Sequence, residues 1–446
     1  MEITHLQDGL MRLCLDRMKN DELWLSKHSL PTKMDYDIFC EYKLHQLQQT
    51  VNLAYSHSSF YKKKFDEYGV LPSILKTFSD IEKFPFTYPE DINGKSYDFL
   101  CVSQSQVTKP VTFFSGGTTG MKKRIYFSGN DVSNIMKYLA IGMNCVASTD
   151  EVCQVIMPNS QGRGIGSILA GSLMKNGMKA FATDIFADSE EQIKNTIENK
   201  VTVWFGDAGT MYRITKECEN KYDLKNLGMK IIFPTIGNIS NTMKAYFERV
   251  WNCKVITHYG LTEMGWGLAV DCLSDTSGYH YDELDTFTEC IDPKSDLKVK
   301  EGTTGELVFT SLGREAMPLI RYRSRDLASL KHGGCKCGKD CEIMGHIIKR
   351  IGGYKSPNGI EIYPQLLEDV LFSCNDLVDY RLYSDNKNLK IEVESLSNSL
   401  DDLDQLKNNL NSISVIKNCG LSLKLVLKEH NSLKQYALEK KRVIII

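Results

Sequence analysis

Residues 152–207 read VCQVIMPNSQGRGIGSILAGSLMKNGMKAFATDIFADSEEQIKNTIENKVTVWFGD. VCQVIMPN, MKAFATD and VTVWFGD are short, apolar, and rich in β-branched or aromatic residues, as strands are. Between them, SILAGSLMKN and SEEQIKNTIENK carry apolar residues at helical spacing. Strand, helix, strand, helix, strand in this order predicts an α/β fold with largely parallel pairing. The turn after the first strand approaches G-x-G-x-x-G from Gly162, with Asp184 about twenty residues on, but Ser167 stands where the last glycine belongs. A nicotinamide reading is therefore weak. A glycine-rich strand-to-helix turn, with 158–166 as one wall of a substrate pocket, is the simpler account.

Working outward, residues 1–75 read as helical. LHQLQQTVNLAYSHSSFYKKKFDEYG has helical spacing and stops at Gly69. A more β-like region spans 286–330 and includes GELVFTS. A last segment of about one hundred residues mixes helix and strand (KIEVESL, LSLKLVL), with GGCKCGKDC just before it as a boundary. The expected division is a large α/β domain over 1–345 and a smaller, mobile α+β domain over 346–446.

The chain has 446 residues, 42% hydrophobic and 25% charged, with a formal net charge of −2. That length implies more than one domain, and that composition an ordinary globular protein. The charge gives no electrostatic case for nucleic acid or an anionic membrane. No apolar run approaches the roughly 20 residues of a membrane span, and no signal peptide is visible. The 14 cysteines are scattered rather than arranged as a disulfide scaffold, so a reducing cytoplasm is expected.

Residues 112–126, TFFSGGTTGMKKRIY, suit phosphate. Glycines let several N–H groups turn into one concavity, and hydroxyls and lysines add donors and charge. The Walker A pattern is absent. The alternative is a flexible surface loop. Three further motifs follow: HYGLTE at 258–263, GELVFTSLGREAMPLIRYRSRD at 305–326, and MGHIIKRIGGYKSPNGIEIYPQLLEDVL at 344–371. Singly, each has a bland reading as a strand-end turn, a hairpin, or a basic turn before a helix.

In this order and at these separations the motifs resemble those of the adenylate-forming superfamily of acyl-CoA synthetases, most closely its phenylacetate–CoA ligase branch. SSFYKKKFDEYGV and FPFTYPEDI also resemble that branch's N-terminal region. The resemblance implies ATP-dependent activation of a carboxylic acid to an acyl-adenylate, with pyrophosphate release, then transfer to coenzyme A. It favours an aromatic acid. It implies that Ser115, Gly117, Thr118, Thr119 and Gly120 wrap the β- and γ-phosphates, with Lys122 or Lys123 adding charge. A carboxylate beside phosphates makes sense as a Mg²⁺ ligand, which is the implied role of Glu263. Thr262 would donate to the α-phosphate, Tyr259 flank the adenine, and Asp326 accept from the ribose hydroxyls. Gly237 and Gly260 would line the nucleotide and acyl pocket, together with Trp204, Phe205, Thr235 and Ile236.

Several positions depart from the family. Gly116 stands where a second hydroxyl residue is usual. Gly345-His346 replaces Gly-Arg, and Ile347 and Ile348 precede Lys349 at the hinge, which bears on the second half-reaction more than the first. Arg350 would take over a phosphate or ribose contact. At the tail, LEKKRVIII puts Glu439 at the catalytic lysine position if matched without a gap, and Lys440 there with a one-residue shift; Lys440 is the chosen candidate. The bland reading is a solvated charge run.

GCKCGKDC at 334–341, with Cys272 and His280 upstream, suggests metal rather than disulfide in a reducing compartment. The resembled branch has a similar site. The expected zinc ligands are Cys272, His280, Cys335 and Cys337, with Cys341 as rival for one place; such a closed site is structural. The expected partners are a small carboxylic acid, coenzyme A or a carrier protein, and a second copy of the chain. An amine acceptor, or a binding protein that has lost catalysis, are the rival readings.

Overall fold

A computed structural model describes residues 5–114, 122–159, 164–235, 239–385, 387–397, 403–434 and 444–445. The expected site residues Ser115, Gly117, Thr118, Thr119, Gly120, Gly237 and Lys440, and the side chain of Lys122, lie outside the described residues. The chain divides into two compact units. One comprises 3–146 with 258–351, the other 147–257 with 352–446. The chain thus crosses between units at 146/147, 257/258 and 351/352.

The 147–257 portion has a five-stranded parallel sheet in the order Lys179–Asp184, Val152–Met157, Val203–Asp207, Ile231–Thr235, Lys254–Val255. Its connections are the helices Ile165–Lys175, Ser189–Glu198, Ala208–Cys218 and Asn241–Trp251. Three of them start on side-chain caps: Asp188, Asp207 and Ser240 accept from backbone N–H groups of the first turn. The fully buried pattern of Val203–Asp207 is what a central parallel strand requires. Residues 352–446 pack into the same core. Their sheet runs Ser422–Lys428, Asn388–Ser395, Leu377–Ser384, Ile444–Ile445, with parallel outer pairs and an antiparallel middle pair. Trp204, Tyr212, Phe247 and Trp251 share one apolar cluster with Leu371, Phe372 and Tyr380.

The other unit begins with the expected helices, Leu6–Met18, Tyr36–His57 and Ser59–Tyr68. The last ends on Gly69 at φ +66°, a left-handed cap that glycine adopts without strain. Val107–Phe114 and Lys122–Ser128 pair antiparallel on either side of the phosphate-loop sequence. An antiparallel sheet follows, in the order Thr286–Ile291, Thr304–Ser311, Tyr322–His332, Glu342–Met344, Asp275–Tyr281, Ala269–Cys272, His258–Tyr259. Lys349–Arg350 pairs along Tyr322–His332, setting Arg350 opposite Asp326. The fold is mixed α/β, as expected. Among the described residues, no helix is long and apolar enough to cross a membrane.

Candidate functional site

Glu263 sits on a single 3₁₀ turn, Thr262–Met264, directly after the strand His258–Tyr259. The turn is tight because Gly260 and Gly265 permit it. A Cβ at Gly260 would lie 1.6 Å from the Trp266 carbonyl oxygen, and Gly265 has φ +99°. The Glu263 carboxylate is buried, and so is Lys123, on the strand that leaves the phosphate-loop sequence. Lys123 Nζ lies 3.5 Å from Glu263 Oε1 and 3.4 Å from the Tyr322 hydroxyl. Tyr322 donates to the same Glu263 oxygen at 2.8 Å. Burial alone would raise the Glu263 pKa, but Lys123, the Tyr322 hydroxyl and Arg350 outweigh it and hold the carboxyl below its ordinary value. Burial has the upper hand at Lys123, whose pKa is lowered despite Glu263. The result is an ionised carboxylate poised beside a lysine that gives up its proton more readily than usual.

Asp326 lies in the same unit. Tyr259 donates its hydroxyl to Asp326 Oδ2 at 2.7 Å, and Arg350 Nε lies 3.7 Å from Oδ1. Arg350 also donates to the Ser324 carbonyl at 3.2 Å. Burial, and then the Asp326 charge, raise the Tyr259 pKa far above its ordinary value, so this phenol is a permanent donor. The unit therefore assembles Lys123, Tyr259, Gly260, Thr262, Glu263, Asp326 and Arg350 on the strands and turn beside the hairpin.

Two residues here were not read from the sequence. Tyr322 stands four residues before Asp326 in one strand, and a period of two would have flagged it. Arg314 donates to the Glu263 carbonyl at 2.5 Å and so fixes the turn from behind. Its signal was only its place in the motif 305–326.

The cysteine cluster is also within this unit. His280 Nε2 lies 3.3 Å from Cys335 Sγ and 3.7 Å from Cys337 Sγ, while His280 Nδ1 faces Cys341 Sγ at 3.2 Å. Cys272 Sγ lies 3.9 Å from His5 Nε2. Ligand atoms of His5, Cys272, His280 and Cys337 all fall within 4.8 Å of one another. A tetrahedron with Zn–S of about 2.3 Å and Zn–N of about 2.0–2.1 Å has edges of roughly 3.4–3.8 Å, so the donor set suits zinc in kind, while its atoms are held only within 4.8 Å and His5 stands in it where Cys335 was expected. His5 had no sequence signal, since it lies far from every cysteine of the set along the chain. His346 pairs with Asp271 at 2.8 Å, which ties down the residue that replaces the family's arginine.

The chain is similar in sequence to curated CoA ligases and in fold to a solved one. No family model matches the chain. In sequence it is similar to the phenylacetate–coenzyme A ligase of Escherichia coli, 26% identical over 371 residues, covering 80% of this chain and 82% of that one. It is similar to the phenylacetate–coenzyme A ligase of Thermus thermophilus as well, 25% identical over 362 residues, covering 78% and 80%. In structure it is similar to 2-hydroxyisobutyryl-CoA ligase in the postadenylation state with 2-HIB-AMP, with a TM-score of 0.74, 22% identity, and 94% of each chain covered. Over about four fifths of its length the chain is thus similar to phenylacetate–coenzyme A ligases.

Proposed function

We propose that this chain activates a carboxylic acid with ATP to an acyl-adenylate, releasing pyrophosphate, and then transfers the acyl group to coenzyme A. The observation that carries the proposal is the buried Glu263 carboxylate, kept ionised by Tyr322 and by Lys123, which stands on the strand that leaves the phosphate-loop sequence. A buried carboxylate there is unfavourable for triphosphate binding unless it serves a cation. Glu263 would hold Mg²⁺, which when bound supplies charge to the phosphate oxygens. Lys123, relieved of Glu263 by the cation, would turn its charge to the phosphates. Asp326 would accept from the ribose hydroxyls, with Tyr259 and Arg350 fixing its orientation. Ser115, Gly117, Thr118, Thr119 and Gly120 would wrap the β- and γ-phosphates, Thr262 and Lys440 would serve the α-phosphate, and Gly237 would line the pocket.

The domain reading goes with this: 1–345 adenylates, and 346–446 moves between the half-reactions. Cys272, His280, Cys335 and Cys337 would hold a structural zinc that ties the strand ends around His280 to the 333–341 loop. The cysteines, scattered rather than arranged as a disulfide scaffold, suit a reducing cytoplasm. The test is a pyrophosphate-release screen over aryl, aliphatic, hydroxy and amino acids, with and without coenzyme A. Release that depends on one acid, and acyl-CoA formed from it, are the expected results. No release with any acid removes the proposal.

A further inference from the structure

Asp326 lies where its strand departs from regular pairing. The strands Thr304–Ser311 and Tyr322–His332 pair antiparallel from Thr304 opposite Ser329 to Glu306 opposite Leu327, and resume with Val308 opposite Arg323. One residue of the first strand, Leu307, therefore spans three of the second, Ser324, Arg325 and Asp326. A bulge of this kind bends its strand and re-aims the side chains it carries. Arg325, at its centre, has φ +66°, a left-handed backbone that is strained for any residue but glycine. Something must hold the chain there.

The bulge strips backbone groups of their ladder partners, and buried ones must find others. Two side chains supply them. Glu306 Oε1 accepts the Arg325 N–H at 3.0 Å, while its Oε2 accepts from Arg323 Nε at 2.9 Å and Nη2 at 2.5 Å. Ser324 Oγ donates to the Leu307 carbonyl at 2.6 Å and accepts the Asp326 N–H at 3.0 Å. On the other flank, the Ile351 N–H donates to the Arg325 carbonyl at 2.6 Å. Glu306 and Ser324 are 1% and 0% exposed, and these atoms are engaged with the chain itself.

We infer that Glu306 and Ser324 are positioning residues of the nucleotide site: they hold the bulge, and the bulge aims the Asp326 carboxylate at the ribose. This rests on the ribose reading of Asp326 given above. The chemistry at position 306 is specific. Both oxygens of Glu306 face donors, the Arg325 N–H on one side and the Arg323 guanidinium on the other. Glutamine has the same shape but one acceptor oxygen, so its NH₂ must face one of those donors. Arg323 keeps a second partner, Asp296 Oδ1 at 2.6 Å, so the guanidinium is not left bare by that change. The Arg325 side chain has no part in the device: it turns outward to Glu90 at 2.6 Å.

The experiment is equilibrium binding of ATP, 2′-deoxy-ATP and 3′-deoxy-ATP to the full chain with Mg²⁺, read by calorimetry, which needs no knowledge of the acid. The parent should prefer ATP to at least one deoxynucleotide by about tenfold or more, the worth of a hydrogen bond to a charged group. Asp326→Asn should bring that ratio close to one. Glu306→Gln and Ser324→Ala should cut the ratio about threefold or more by weakening ATP, with the disfavoured deoxynucleotide almost unaffected. Arg325→Gly should keep the parent ratio, because glycine adopts the left-handed backbone freely and an exposed ion pair contributes little. A merely structural role would weaken all three nucleotides alike and leave the ratio unchanged. That result in Glu306→Gln and Ser324→Ala, beside a lost ratio in Asp326→Asn, overturns the inference while the ribose reading stands. Should Glu306→Gln fail to fold, Ser324→Ala decides alone. A parent that binds ATP without discrimination overturns the ribose reading and the inference together, and one that binds no nucleotide removes the proposed function as well.

Discussion

Glu263→Gln separates catalysis from folding at the proposed site. The substitution keeps the shape and leaves an acceptor for Tyr322, which donates at 2.8 Å, but it removes the charge that faces Lys123 at 3.5 Å. Two unit charges at that distance attract by about 4–5 kcal/mol at an effective dielectric of about 20. Both ions are buried, and their desolvation cancels much of this. A net coupling of about 1–3 kcal/mol between Glu263 and Lys123 is expected, read from a double-mutant cycle with Lys123→Met in urea. The single variant should therefore fold, with a lower urea midpoint. Its pyrophosphate release should fall by about 10²–10³-fold, because a charged contact to the phosphate-bound cation is gone. Because the Glu263 pKa lies below its ordinary value, its contribution to stability is full at neutral pH. It is lost as pH falls below about 4.5 through the folded-state pKa. A folded Glu263→Gln protein that releases pyrophosphate at close to the parent rate would refute the assignment, whatever the coupling.

Asp326→Asn should raise KM for ATP by about tenfold or more with a smaller effect on kcat, since its loss weakens ribose binding; steady-state kinetics in ATP check this. Burial pushes the His258 imidazole down to about 4, below its unfolded value, so the unfolded chain binds the proton first. Stability should then fall by up to about 3 kcal/mol as pH drops from about 6.5 to about 4, and His258→Phe should flatten that slope in pH-dependent urea melts. Arg213→Met leaves Glu394 buried without its guanidinium and should destabilise by about 3–5 kcal/mol, while Arg213→Met with Glu394→Met should recover most of it. Lys440→Ala should slow adenylation about 10²–10³-fold yet transfer from synthetic acyl-adenylate normally, with Lys441→Ala as a near-neutral control; a crippled Lys441 variant would move the role by one residue.

The parallel sheet was legible because a buried central strand has nowhere to hide its composition. VTVWFGD follows a helical run and is buried along its whole strand, Val203–Asp207. The helix SEEQIKNTIENK was read from its spacing, whereas the helices Ala208–Cys218 and Asn241–Trp251 were not read, although Asp207 and Ser240 cap them with a side-chain oxygen. Glu263, Tyr259 and Asp326 could be proposed because motifs carry them. Tyr322, Arg314 and His5 were not, because each acts on a residue distant in sequence. Tyr322 reaches back to Glu263, Arg314 to the Glu263 carbonyl, and His5 to Cys272. Nothing local in RYRSRD or THLQDG announces such a partner, and only chain topology supplies it.

The same limit explains the division of the chain. Sequence places a boundary near residue 345, where composition changes, yet 352–446 shares a core with 147–257. Arg213, on the helix Ala208–Cys218, donates to Glu394 and approaches Asp379 at 3.4 Å, with Glu217 also within reach. Tyr212 packs edge-on against Phe372 with centroids 4.8 Å apart, and Thr242 binds Asp369 twice. An interface of this kind does not forbid movement of the C-terminal segment. When a buried ion pair separates into water, both charges recover their hydration, and the cost is far below that of deleting one partner in place. Apolar replacements of Arg213 and Glu394 behave in the reverse way. They restore stability, but separating them exposes hydrocarbon and recovers nothing. If 346–446 must leave this surface for the second half-reaction, the pair of methionines should slow acyl transfer while sparing adenylation. The charged pair would then be the arrangement that keeps the segment docked without locking it.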